Sequence, residues 1–184
     1  LLIVLMLCNL LHDTIKDFFV ATHVVAFARD QGMGAVASGN LFALMGLVGV
    51  AGVLMTGFVS DRFGPMLPTI ICFAIRIVLF GLVMVTTSVV AIIGFALVYG
   101  FTFWITAPLT IVFVRKYFGT AHLGMLTGIV AMVHHGAGGL GAYAGGIVYD
   151  VFGSYQVIFQ IMLMVSFAAL LTTWLLSRIR ITST

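Results

Sequence analysis

Long apolar runs separated by short polar connections dominate the chain. Six runs reach the roughly 20 residues that an α-helix needs to cross the hydrocarbon core of a membrane. The runs cover residues 1–27, 37–59, 67–87, 89–114, 122–148 and 155–177. Strands of a membrane barrel would be about ten residues long and strictly alternating. The pattern therefore predicts an all-α integral membrane protein with six transmembrane helices.

The basic residues of the connections predict an orientation. If six helices alternate in direction, Arg29 falls alone on one side of the membrane. The basic residues of the other side are Arg62, Arg115, Lys116, Arg178 and Arg180. Because cytoplasmic loops carry the excess of Lys and Arg, we expect both ends of this multi-pass segment in the cytoplasm, with the protein in the plasma membrane (the inner membrane of a bacterium).

Composition supports the membrane assignment. The chain is 62% hydrophobic and 7% charged, whereas a soluble domain is about 25% charged. The net charge of +3 is small and scattered, which excludes a nucleic-acid partner and leaves the lipid bilayer as the expected environment. The chain starts "LLIVLML" without Met, which predicts a fragment of a longer protein.

Polar residues form a stripe along the first run. At about 100° per residue, one arc of the helix holds Asn9, His12, Asp13, Lys16, Asp17 and His23. The opposite side, with Ile15 and Phe18, suits lipid. A charged group at the centre of a span opposes insertion by about 2.5–3.5 kcal/mol. These groups therefore need partners, water or both.

The stripe has a functional and a structural interpretation. Lys16 lies three residues after Asp13, within reach on a helix, and one amine cannot neutralise two carboxylates. Asp17 then lacks a local partner and tends to take up a proton. The functional interpretation is therefore a substrate and proton pathway in which the two Asp residues carry protons and His12 and His23 assist. The alternative is a satisfied polar pair that joins two helices, with hydrogen-bonded histidines.

The fifth run, with "MVHHGAGGLGAYAGG", combines small residues with two histidines. Glycines at helical spacing predict close packing against another helix; they are Gly124, Gly128, Gly138 and Gly145. His134 and His135 point about 100° apart on a helix, so only one is expected to face a cavity, and the sequence does not decide which.

The third and fourth runs contain isolated polar features. Pro108 predicts a kink in run four, with Trp104 and Thr106 beside it. This is either an ordinary bent span or a cavity-lining one whose Trp contacts substrate. Arg76, inside run three, is expected to play a structural role, by reaching the surface or by pairing across helices.

The loop after run two carries a resemblance. "GFVSDRFG" resembles the G-x-x-x-D-R-x-G loop signature of the major facilitator superfamily. "PLTIVFVRKYFGTAHLGMLTGI" and "HHGAGGLGAYAGGIVYDVFGSYQVIF" are similar to stretches of the same superfamily. Together with "FFVATHVVAFARDQGM" they resemble its bacterial, monocarboxylate-transporter-like branch.

The resemblance implies the C-terminal half of a twelve-helix transporter with a 3+3 inverted repeat. The missing N-terminal six-helix half would lie on the same polypeptide. Runs one, two, four and five would line a central cavity, with runs three and six outside, and the two halves would rock for alternating access. The implied cytoplasmic gate motif comprises Gly57, Asp61, Arg62 and Gly64. Pro65 and Met66 replace the usual basic residues, and Val53 stands where many monocarboxylate relatives carry Arg.

Together these features predict a secondary active transporter rather than an enzyme, without a cofactor or metal. We expect proton-coupled movement of a small organic solute, most simply an organic anion such as a monocarboxylate. The alternatives are efflux of hydrophobic drugs by the same fold, a non-transporting membrane subunit, and a haem- or metal-binding membrane protein using the five histidines.

Overall fold

A computed structural model describes residues 2–178 as a bundle of α-helices. In chain order the helices are α1 (Leu2–Asp30), α2 (Ala35–Phe63), α3 (Met66–Val85), α4 (Val89–Phe103), α5 (Thr106–Phe118), α6 (Leu123–Phe152) and α7 (Gln156–Arg178). Within this range there is no strand, which confirms the all-α prediction. Arg180, used above for the orientation, lies outside the described residues.

Five segments have the length and the apolar composition of membrane spans: α2, α3, α4 with α5, α6 and α7. Helix α1 has 29 residues, enough to span, but contains Asp13, Lys16 and Asp17 in its middle. All three side chains are buried in the protein. Their charge is therefore directed at neighbouring helices, and α1 completes a set of six segments of membrane-spanning length.

The fourth predicted span is broken rather than only bent. Helix α4 ends at Phe103 and α5 begins at Thr106, so the break lies about one turn before Pro108, where the sequence placed the kink. Pro108 has no N–H to donate, and its ring clashes with the carbonyl four residues earlier, which belongs to Trp104. The break disrupts the regular helical hydrogen bonding of the last carbonyls of α4.

The helix contacts have the symmetry of an inverted repeat. Helix α1 packs on α6, α2 on α4, and α3 on α7, with a further contact between α1 and α7. The inverted repeat would relate α1 to α4–α5, α2 to α6, and α3 to α7. Under this exchange the α1–α6 pair becomes the α4–α2 pair, and the α3–α7 pair stays the same. This is the relation that two inverted three-helix repeats produce.

Glycines allow the α1–α6 contact. A Cβ at Gly138 would meet the ring of Phe18, and one at Gly145 would meet His23 and Phe19. The tightest backbone approach is at Gly141, which the sequence analysis missed and which lies against the backbone of Ile15. Ile15 and Phe18 therefore pack against α6, and the prediction that their side of α1 faces lipid is wrong.

The other two predicted packing glycines behave differently. Gly124 and Gly128 lie near the start of α6, and a Cβ at either would have no neighbour within 4 Å in the described part of the chain. The equivalent α2–α4 contact also depends on a glycine, because Gly52 of α2 lies directly against the backbone of Phe101 in α4.

An aromatic cluster fills the end of the bundle near Arg29. Its members come from α1, α3, α4 and α7: Phe27, Phe80, Phe95, Tyr99 and Phe159. The ring centres of Phe27 and Phe159 are 4.8 Å apart, edge to face, a favourable arrangement for aromatic pairs. This cluster packs the end of the bundle tightly.

Candidate functional site

A cavity of about 620 Å³ opens between α1, α2, the α4–α5 break and α6. Helices α3 and α7 contribute no residue to its wall. These are the lining and outer spans that the resemblance implies. Most of the wall is apolar, with Phe18, Phe42, Phe103 and Ile111 among its side chains. A small number of polar groups therefore determine its chemistry.

Six of the ten residues predicted for the pathway line the cavity: Asp13, Asp17, Trp104, Thr106, His134 and His135. The other four are not among its lining residues: Asn9, His12, Lys16 and His23. The polar stripe of α1 is therefore divided between the cavity and the contacts that α1 makes with other helices.

Both cavity carboxylates are paired with one guanidinium. Arg76 of α3 forms an ion pair with Asp13, and its Nη2 lies 3.0 Å from Oδ1 of Asp17. The hydroxyl of Tyr99 also donates to Oδ1 of Asp17 at 2.8 Å. Arg76 is completely buried. Removing one partner of such a buried pair typically costs about 3–5 kcal/mol, so the three side chains stabilise one another strongly.

The break between α4 and α5 helps to hold Arg76. Its Nη2 donates to the backbone carbonyl of Thr102 at 2.8 Å, and its Nε donates to the Thr102 hydroxyl at 3.3 Å. In an unbroken helix the N–H of Thr106 would occupy that carbonyl. At the break this carbonyl instead accepts from the N–H of Ile105 at 3.3 Å and from the guanidinium of Arg76.

Lys16 does not make the contact that the sequence predicted. The expected pair with Asp13 does not form: within residues 2–178, no carboxylate oxygen lies within 4 Å of its Nζ. The side chain is completely buried, Nζ has no hydrogen-bond partner there, and it lies 4.4 Å from the centre of the Phe73 ring. Asp17 has no ion-pair partner on α1 in the described residues, but Arg76 of α3 pairs with it, so the expectation of an uncompensated carboxylate is wrong.

Two residues of the stripe, Asn9 and His23, form hydrogen bonds between helices. The amide of Asn9 donates to Thr173 Oγ1 at 2.5 Å and to the Ala169 carbonyl at 3.2 Å, which joins α1 to α7. Nε2 of His23 donates to the Ala142 carbonyl at 2.9 Å, and Nδ1 is 3.1 Å from the Tyr155 hydroxyl. The structural interpretation fits these two better. His12 is half-buried, and its Nδ1 has no partner in the described part of the chain.

The two adjacent histidines of α6 both face the cavity, which corrects the expectation that only one would. Their rings both pack edge-on against Phe18, with centre distances of 5.5 and 6.1 Å. His134 Nδ1 is hydrogen-bonded to the Thr14 hydroxyl at 2.7 Å, and His135 Nδ1 donates to the Ala131 carbonyl at 2.8 Å. Phe18, on the face predicted for lipid, fits into the angle between them.

The gate motif lies at the end of α2. Gly64 ends the helix with φ of +78°, a backbone conformation that favours glycine. Gly57 has open space around it, and Asp61 and Arg62 are exposed, with no ion pair to any residue between 2 and 178. Their role as a gate stays a prediction.

Comparison with known proteins gives a family and two relatives. Residues 2–183 match the model of the Major Facilitator Superfamily. The uncharacterized MFS-type transporter YcxA of Bacillus subtilis is 29% identical over 147 residues, covering 76% of this chain and 35% of that protein. Monocarboxylate transporter 13 of Rattus norvegicus is 25% identical over 149 residues, covering 78% of this chain and 34% of that protein.

The chain thus spans about a third of the length of these relatives. The family model covers nearly all of it, in agreement with the all-helical fold and the membrane-length helices. The chain belongs to the major facilitator superfamily of membrane transporters.

Proposed function

We propose that the protein is a proton-coupled secondary transporter that moves a small organic anion, such as a monocarboxylate, by alternating access. In this proposal the chain is the C-terminal six-helix half of the transporter in the inner membrane of a bacterium, with both ends of the segment cytoplasmic. An N-terminal half on the same polypeptide completes the cavity. The observation that carries the proposal is a largely apolar cavity with two ion-paired carboxylates, Asp13 and Asp17, in its wall.

The shape and lining of the cavity support a small amphipathic solute. Its volume of about 620 Å³ lies within the usual range of about 300–1,000 Å³ for small-molecule sites. Phe18, Phe42 and Trp104 offer apolar and aromatic surface, which suits the hydrocarbon part of an organic acid. Thr106 and His134 can donate hydrogen bonds to its polar end.

The charge of the cluster supports coupling between a proton and an anion. Asp13, Asp17, Lys16 and Arg76 sum to zero when all four are ionised, and one proton more makes the site one unit more positive. At ~10 Å and an effective dielectric constant of ~20, one unit of charge changes the binding energy of an anion by about 1.7 kcal/mol, or roughly twentyfold. By linkage, the anion strengthens proton binding by the same factor.

Val53 concerns the expected charge of the substrate. The resemblance places an Arg there in many monocarboxylate relatives, and its absence weakened the anion prediction. In this fold Arg76 and Lys16 supply positive charge beside the cavity carboxylates. A carboxylate substrate therefore has cationic groups to balance it, although neither side chain is part of the cavity wall.

The test is uptake by liposomes that contain the full-length protein. Radiolabelled lactate, pyruvate and benzoate are presented with and without an imposed pH gradient, acidic outside. We expect at least one of them to accumulate above its equilibrium level only when the gradient is present. Empty liposomes give the rate of passive entry. Uptake that ignores the gradient for every compound would contradict the proposal.

The apolar wall makes drug efflux the second candidate. Phe42, Met45, Phe103 and Ile111 could accommodate a hydrophobic cation. In the same liposomes, proton-driven movement of ethidium without movement of any monocarboxylate would favour this alternative. The carboxylates of Asp13 and Asp17 would then attract the substrate directly.

A further inference from the structure

Lys16 is a buried ionisable group that the proposed transport cycle does not yet use. Its side chain is completely inaccessible, and it belongs neither to the cavity wall nor to an ion pair in the described residues. An ammonium group carries three donors and no acceptor. None of the three has an acceptor within residues 2–178, so the ionised form is poorly stabilised here.

The carboxylates of the same cluster are in the opposite situation. Asp13 accepts a hydrogen bond from Arg76, whereas Asp17 forms an ion pair with Arg76 and accepts a hydrogen bond from Tyr99. Charge-assisted hydrogen bonds of this kind favour the ionised carboxylate. Arg76 is itself buried and cannot lose its proton, so it needs at least one ionised carboxylate beside it. Protonating either carboxylate would weaken a buried ion pair, whereas deprotonating Lys16 breaks no hydrogen bond that the structure shows.

The groups around Lys16 support a change of charge there. The charged neighbours that act on it are Asp13 and Asp17 from α1 and Arg76 from α3, with the thiol of Cys72 nearby on α3. Tyr99 of α4 belongs to the same cluster through Asp17, and His12 lies one turn away on α1. Helix α7 carries no titratable side chain before Arg178. From α6, His134 also lies within the electrostatic influence of Asp13 and lines the same cavity.

We propose that Lys16, and not the carboxyl group of Asp13 or Asp17, holds the transported proton. The proposal rests on the transport function proposed above and names the residue that couples it. The lone pair of neutral Nζ accepts a proton, the amine becomes an ammonium, and the cluster changes from one negative charge to none. Release of the proton restores the amine. No bond other than the N–H bond forms or breaks.

The carboxylates have a positioning role in this scheme. Asp13 and Asp17 line the cavity and flank Lys16 on the same turn of α1. They connect the water of the cavity to the buried amine and attract the proton, while Arg76 keeps both ionised on average. An anion in the cavity then meets one negative charge fewer when Lys16 is protonated, which links the two ligands.

The test compares three variants of the full-length protein in liposomes: Lys16→Arg, Lys16→Met and Asp17→Asn. The solute is the monocarboxylate that the wild-type protein accumulates most strongly. Accumulation driven by a pH gradient reports coupling, while exchange of labelled for unlabelled solute without a gradient reports a working carrier. The two readouts together separate a loss of coupling from a loss of folding.

Lys16→Arg keeps the charge but cannot release the proton. We expect gradient-driven accumulation to fall at least tenfold while exchange stays within about threefold of the wild type. Lys16→Met should also lose accumulation, and its exchange should need a higher solute concentration because its cluster keeps one negative charge. Asp17→Asn should accumulate solute more slowly than the wild type but still above equilibrium, because Lys16 and the second carboxylate beside it, Asp13, remain.

Two results would overturn the proposal. One is accumulation by Lys16→Arg or Lys16→Met with the pH dependence of the wild type. The other is loss of accumulation with intact exchange in Asp17→Asn, which would assign the proton to that carboxyl group even if both Lys16 variants failed to fold. If the wild-type protein itself shows no gradient-driven uptake, the transport function proposed above is what fails.

Discussion

Two buried basic side chains, Lys16 of α1 and Arg76 of α3, have contrasting surroundings. Arg76 binds two carboxylates, a hydroxyl and a backbone carbonyl. Lys16, equally buried, lies over the face of Phe73, and its nitrogen has no hydrogen-bond partner among the described residues. A buried ion pair and a buried amine that the structure leaves without a hydrogen bond thus belong to the same cluster. The difference teaches that two charged residues buried in neighbouring spans can have quite different surroundings: one is held by several partners, whereas the other is without a hydrogen-bond partner in the described residues.

The largest effect is expected from breaking the satisfied site. Arg76→Met removes the guanidinium that pairs with both Asp13 and Asp17, so the free energy of unfolding should fall by about 3–5 kcal/mol. Thermal unfolding of the purified protein, followed by fluorescence in detergent, measures the change.

A matched variant identifies the cause of that loss. Replacing Asp13 and Asp17 by Asn in the Arg76→Met background removes the uncompensated charges, and more than half of the lost stability should return. If Arg76→Met alone stays within about 1 kcal/mol of the wild type, the ion cluster does not hold these helices together as described.

A smaller effect is expected where α4 supports Arg76. Thr102→Val keeps the shape of the side chain but removes the hydroxyl that accepts from Nε of Arg76. The free energy of unfolding should fall by about 1 kcal/mol, the usual value of one hydrogen bond. Thr102→Ser retains the hydroxyl and is the control. Equal stability of the two variants would mean that this hydrogen bond contributes nothing.

The smallest effect on stability is expected at the unsatisfied site. Lys16→Met keeps most of the volume and removes a buried amine that has no hydrogen-bond partner between residues 2 and 178. The free energy of unfolding should change by less than about 1 kcal/mol or should rise. A loss as large as that of Arg76→Met would show that the amine is paired and would remove the contrast between the two sites.

The positions of the helices can be predicted from the sequence, because they follow the hydropathy of the chain. Apolar runs of spanning length predict helices, and the helices of the structure begin and end within a few residues of those runs. The break at Trp104 and Ile105 was placed four residues too late, because Pro108 acts on the carbonyl of the preceding turn. Such local effects can be predicted once that geometry is applied.

The charge cluster could not be derived in the same way. Lys16 is close to Asp13 along the helix, so a local argument pairs them, yet Arg76 lies 63 residues away and takes both carboxylates. Only the packing of α3 against α1 and α4 decides between the two cations. One signal was available: Arg76 stands alone in an apolar run, and a lone charge in a span needs a partner.

The histidines show the same limit. His134 and His135 were assigned to different surroundings from helical geometry, but the ring of Phe18 lies between them and both line the cavity. Asn9 and His23 share the stripe of Asp13 and bind neighbouring helices instead. Position on a helical wheel shows which residues share a face and does not show which helix covers that face.

The central claim is that the carboxylates of α1 look onto a water-filled cavity inside the membrane. Cysteine labelling tests it at neighbouring positions of α6: Ala131 lines the cavity, whereas the adjacent Met132 is 69% exposed and is not part of the wall. Both lie roughly 12–14 Å into the helix at ~1.5 Å per residue. The full-length protein, with Cys8, Cys72 and any other native cysteine replaced by alanine, receives Ala131→Cys or Met132→Cys.

The measurement is the rate at which a charged, membrane-impermeant thiol reagent modifies each variant in liposomes. We predict that Ala131→Cys reacts at least tenfold faster than Met132→Cys and that a transported monocarboxylate slows its reaction. Equal, slow labelling at both positions, with or without the monocarboxylate, would contradict a water-filled cavity beside Asp13 and Asp17.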